Sequence, residues 1–127
     1  MSSYRWVASL GVVIALAAAT GHYSMAPAAG GDGPVAYLDH LGPVWPLFFG
    51  AGAVFLVAAL LLGRARYAAH VVAAGCLSTY AVALWGTAIL TVSTRGVVTA
   101  GLATALAVHA LLLATVYSRG GAEWTRR

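Results

Sequence analysis

Four long stretches of this chain, Trp6 to Tyr23, Val44 to Gly63, Tyr67 to Val92 and Val97 to Ser118, contain no Asp, Glu, Lys or Arg. No other feature constrains the fold as strongly. A bilayer core about 30 Å thick is crossed by about 20 apolar residues of helix at about 1.5 Å rise each, and all four stretches reach that far. Helices satisfy their own backbone N–H and C=O groups, as a solvent without hydrogen-bonding partners requires. The expectation is an all-α, integral membrane four-helix bundle, with residues 1–127 forming a single transmembrane domain.

Composition supports this. Hydrophobic residues make up 61% and charged residues 8% of the chain, where soluble domains carry about a quarter charged. The mean hydropathy is +0.88. All seven basic residues are Arg, consistent with a GC-rich source genome, and the net charge is +4. These arginines stand singly or in twos between apolar runs and form no basic stripe, which argues against a nucleic-acid partner. The lone Cys76 sits inside an apolar run and reads as a small buried hydrophobe.

The arginines do carry orientation. Arg5 precedes the first span, Arg64 and Arg66 lie between the second and third, and Arg119, Arg126 and Arg127 follow the fourth. Only Arg95 falls on the opposite side. Cytoplasmic loops are enriched in Lys and Arg, so both termini are expected inside, with a cytoplasmic tail at 119–127. The loop at 24–43, which has Asp32 and Asp39 but no arginine, is expected outside. The location is then a bacterial inner (cytoplasmic) membrane, crossed several times. A rival reading takes residues 1–28 as a signal peptide cleaved near Ala26-Pro27-Ala28, which leaves three spans in the same orientation.

Pro27, Pro34, Pro43 and Pro46 all fall in the external loop or at the opening of the second span, where a missing N–H costs little. The broken-helix signature of transporter sites is missing from the spans themselves. Within the loop, Tyr37, Leu38, Leu41, Val44 and Trp45 suggest a short segment on the outer leaflet, with Tyr37 and Trp45 at headgroup depth. A partner-binding surface is the alternative.

The third span carries small residues at every fourth position: Gly75, Thr79, Ala83, Thr87 and Thr91. Helices in lipid associate by close backbone approach at small residues, and such a ladder marks a packing interface. Each step of four turns about 40° round the helix, so one straight partner follows two or three rungs only. In the fourth span Ala100, Gly101, Ala103, Thr104, Ala105 and Ala107 form a matching set. Gly75, Thr79, Ala83, Thr87, Gly101 and Ala105 are therefore the candidate helix-packing interface, within one molecule or between copies. Tyr80 and Trp85 lie well inside the span and each needs a hydrogen-bond partner when buried.

His70 and His109 are the candidate intramembrane polar or ligand residues, since an ionisable side chain in a span is a functional candidate. His70 lies about 5 Å from the arginine-side edge of its span and His109 about 13 Å, a poor match for two axial ligands of one haem. No cofactor is therefore expected, with haem b held by both histidines as the alternative. His22 and His40, with Asp32 and Asp39, match no metal-ligand spacing. With no Ser-His-Asp set, carboxylate pair or phosphate-binding glycine loop, no catalytic residue is assigned and the chain reads as a non-enzyme.

The phrases "LGPVWPLFFGAGAVFLVAALL", "ARYAAHVVAAG" and "YAVALW" resemble small four-span integral membrane proteins of actinobacteria and their bacteriophages, over about residues 41–118. That resemblance implies no catalytic set. Some members are holin-like, and the function it implies is a self-associating lesion former of the inner membrane. The alternatives are an accessory or partner-binding subunit of a larger membrane complex, including phage exclusion or respiratory assembly, and a small bis-histidine haem protein. Expected partners are the lipid bilayer and either further copies or a larger membrane complex.

Overall fold

The computed structural model describes residues 3–25 and 33–124, with side chains as far as Arg119. The Ala26-Pro27-Ala28 site and Asp32 lie outside the described residues. The elements are α1 (Ser3–Met25), α2 (Pro34–His40), α3 (Val44–Leu62), α4 (Arg66–Thr91) and α5 (Thr94–Trp124). Among the described residues α1, α3, α4 and α5, the last as far as Arg119, are long and apolar enough to cross a membrane. Several helices overrun the apolar stretches, most clearly α5, because backbone hydrogen bonding continues where side chains turn polar. The segment expected as an external loop with a short stretch on the outer leaflet contains α2, which opens with Pro34 in its first turn.

The turns have local causes. Gly63 ends α3 in the left-handed conformation at φ 70, where the lack of a Cβ removes the penalty. Arg66 Nη2 then reaches back to donate to the Leu60 carbonyl at 3.4 Å, near the end of α3. At the other end of α4, Val92 takes the left-handed conformation at φ 51 despite its branched side chain. Ser93 caps α5, its Oγ accepting from the Gly96 N–H at 3.2 Å. A Cβ on Gly96 would lie 3.0 Å from Ala88 Cβ, so this hairpin closes tightly.

α4 and α5 form the most extensive helix pair, followed by α1 with α3 and α3 with α4. Alanines dominate the buried faces of the hairpin: Ala69, Ala73, Ala81 and Ala88 on α4, and Ala100, Ala103, Ala107, Ala110 and Ala114 on α5. Small side chains let two backbones approach closely, the main source of helix attraction in lipid. The α1–α3 pair uses larger residues: Val12, Leu16 and Tyr23 against Trp45, Phe49 and Leu56. Gly52 lies where three helices meet, since its Cβ would contact both Cys76 Sγ at 3.3 Å and Leu16 Cδ1 at 3.7 Å. The outer surface carries Val7, Ile14, Leu47, Val54, Val82, Ile89 and Leu102, an apolar exterior of the kind that suits lipid rather than water.

Candidate functional site: polar ties across the bundle core

Going round the bundle, α1 adjoins α3, α3 adjoins α4 and α4 adjoins α5, while α1 and α5 meet only slightly. α1 and α4 therefore stand diagonally, without an extended approach among the described residues. Side-chain hydrogen bonds bridge that diagonal at two levels, one near the arginine-rich end and one from the last turn of α1 to the middle of α4.

At the arginine-rich end, Ser9 and His70 are both fully buried. His70 Nδ1 lies 2.7 Å from the Arg66 carbonyl one turn earlier. A carbonyl only accepts, so Nδ1 carries the proton and Nε2 is left as acceptor. Nε2 lies 3.0 Å from Ser9 Oγ, which donates to it. Ser9 Oγ in turn accepts from Tyr117 O–H at 3.1 Å. The Tyr117 ring stacks on the imidazole, with centroids 4.8 Å apart at 29°. Three helices are joined by one chain of donors and acceptors, with both His70 ring nitrogens engaged.

Hydroxyl, imidazole and orienting carbonyl are also the parts of a nucleophile–base pair. Here Ser9 and His70 are both without exposed surface and link α1 to α4. A haem-ligand role for His70 would first require Nε2 to leave Ser9. His109 lies half-buried on α5, outside this chain. Among the described residues no group of three or more His, Cys, Asp or Glu is placed to hold a metal.

At the other level, Tyr23 and Tyr80 hydroxyls lie 2.6 Å apart. Around them pack Trp45, Phe48 and Phe49, with Tyr80 edge-on to Phe49 at 5.0 Å and to Trp45 at 5.2 Å. Trp45, expected at headgroup depth, is 1% exposed and donates its indole N–H to the Val35 carbonyl at 3.0 Å. That bond holds α2 over the aromatic cluster. Tyr37 does remain exposed. Beside the cluster a cleft of about 380 Å³ is lined by Tyr23, Ser24, Asp39, Gly42, Pro43 and Pro46.

The small-residue ladder winds from the outside of the bundle to the inside and is exposed again at Thr91. Gly75 and Thr79 are exposed, Ala83 is buried and Thr87 is half-buried. A Cβ on Gly75 would meet nothing within 4 Å. The upper rungs receive the entry to α2: a Cβ on Gly33 would come within 2.8 Å of Thr87 Oγ1, and one on Gly86 within 3.2 Å of Pro34 Cγ. On α5, Ala105 is exposed and Gly101 half-buried with open space over its Cα. Trp85 donates to Thr104 Oγ1 at 3.1 Å, an interhelical bond.

Ser9, Tyr117 and Val35 were not singled out in the sequence. The available signal was a serine and a tyrosine near the arginine-side ends of apolar spans, each needing a partner. Comparison of the chain with protein-family models, characterised proteins and solved structures gave no match.

Proposed function

We propose that this chain is a non-enzymatic, multi-pass membrane protein that works by helix association within the bilayer, self-associating through the outer face of α4. The observation that carries this reading is the open surface at Gly75 and Thr79. Gly75 has space beyond its Cα, and Thr79 is exposed one turn later. The Thr79 hydroxyl already donates to the Gly75 carbonyl at 2.9 Å, so the surface is small and its donor satisfied. Val82 continues this face toward the outer end of the helix. A second helix can approach closely here.

The orientation we propose has both termini in the cytoplasm of a bacterial cell, from the arginines near the start of α1, between α3 and α4, and after the fourth span. A holin-like lesion former would use the same face but needs groups to line water. Exposed Thr91, Thr99 and Thr104 donate to carbonyls of their own helices, which favours a dry contact over a water-filled lesion. An accessory subunit docked on a larger complex differs only in what covers the face.

Gly75→Leu combined with Thr79→Leu tests the reading, because both positions point away from the monomer core. Crosslinking and single-molecule photobleaching in lipid vesicles should show the oligomer of the natural chain replaced by monomer. An unchanged oligomer places the interface elsewhere; a natural chain that is already monomeric removes self-association. Dye leakage from the same vesicles, lost in the double variant, would favour the lesion former.

A further inference from the structure

We propose that the Ser9–His70–Tyr117 chain is a proton-operated clasp: it holds α1 to the α4–α5 hairpin while the imidazole is neutral and releases α1 when His70 takes a second proton. This inference rests on the bundle and is independent of self-association.

The geometry sets the polarity of each bond. With Nδ1–H donating to the Arg66 carbonyl, Nε2 must accept, and the sole donor within reach in the chain is Ser9 O–H. A proton arriving from solvent at Nε2 turns that acceptor into a donor. Ser9 Oγ then faces two donors, Nε2–H and Tyr117 O–H, and its own proton loses its acceptor. Closure survives only by rearrangement, with Ser9 accepting both bonds and turning its proton to a carbonyl of its own helix, or with Ser9 donating to Tyr117 and Tyr117 turning its proton outward. Either rearrangement leaves a charged ring in a site with no solvent exposure, where an uncompensated ion is costly.

The surrounding groups oppose rather than balance that charge. On its own helix Arg66 stands one turn away, and its guanidinium is directed to the Leu60 carbonyl. α5 brings Tyr117 in contact, with His109 about two turns earlier on the same helix. α1 brings Ser9, with Arg5 one turn earlier. α3 carries no titratable side chain at all. Opening α1 is the way for water to reach the ring: it meets α5 slightly and lies diagonal to α4, so it can swing from the hairpin while keeping its packing on α3. The Tyr23–Tyr80 bond near the far end would act as the pivot.

The test is a distance measurement between spin labels at Val7→Cys on α1 and Thr115→Cys on α5, both exposed positions, in a Cys76→Ala background in lipid vesicles. Between about pH 8 and about pH 4, spanning the ordinary imidazole range, the expected result is one short distance giving way reversibly to a longer one. His70→Phe should abolish the pH dependence while His109→Phe keeps it. Should the phenylalanine variant fail to insert, His70→Gln supplies a non-titrating acceptor for Ser9 and should also lose the response. Ser9→Ala should show the long distance already at about pH 8. An unchanged distance in the natural sequence, the same transition in a His70 variant, or a Ser9→Ala chain that stays closed at high pH would each overturn the clasp.

Discussion

The hydroxyls of Tyr23 and Tyr80, at 2.6 Å, join the last turn of α1 to the middle of α4 across the diagonal of the bundle. Both rings belong to one aromatic cluster with Trp45 and Phe49. Tyr23 is buried and Tyr80 half-buried, so water competes little for that bond. Its removal should be felt mainly as loss of coupling between the two helices, because the rings go on packing.

A double-mutant cycle with Tyr23→Phe and Tyr80→Phe isolates that term. Each single change should destabilise the bundle, and together they should show a coupling of about 0.5–1.5 kcal/mol. Reversible unfolding in mixed micelles measures it. Additive losses would mean that the two hydroxyls do not bond.

Gly52 predicts a steric response. Its Cβ would stand 3.3 Å from Cys76 Sγ, so Gly52→Val should cost about 1–3 kcal/mol by overpacking. Cys76→Ala in the same chain should recover part of that loss, since it removes the sulfur that the new methyl meets. The same unfolding experiment reads both.

Val92 is a position to improve. A branched residue at φ 51 bears a left-handed penalty of about 1–2 kcal/mol. Because its side chain is largely exposed, little packing would be lost on replacement. Val92→Gly should therefore raise stability by about 1 kcal/mol, and a higher unfolding midpoint would show it.

Trp45 ties α2 to the core through a single indole N–H. Trp45→Phe keeps an aromatic ring but leaves the Val35 carbonyl without that donor. Amide exchange over residues 35–40 should rise, with exchange in α3 and α4 little changed. Equal acceleration throughout would mean that the indole supports the whole bundle instead.

The sequence displays the spans plainly, since charge-free apolar length is all that a crossing requires. It does not display which face of a span is inside. Gly75 and Thr79 look as suited to burial as Ala69 and Ala73, yet the former are exposed and the latter buried. The reason is rotation: stepping by four drifts about 40° per step, so a ladder of small residues starts outside, passes beneath α2 at Ala83 and Thr87, and is exposed again at Thr91. Isolated polar residues announce that a partner exists without naming it. His70 was conspicuous, but its partners come from α1 and α5, far away in the chain. The residues Tyr37 to Trp45 suggest a short outer segment, but nothing in "PVAYLDH" shows that its first turn accepts the Trp45 N–H.

The central claim is that lipid is the solvent of this chain and that its arginine-rich face lies in the cytoplasm. Single cysteines at exposed Leu41, Ala65 and Ser118 in a Cys76→Ala background, treated with a membrane-impermeant maleimide in intact cells, test it directly. The expected result is labelling at position 41 alone, with 65 and 118 reacting only after the membrane is opened. Labelling of 65 or 118 in intact cells, or a chain recovered in the soluble fraction, would contradict it.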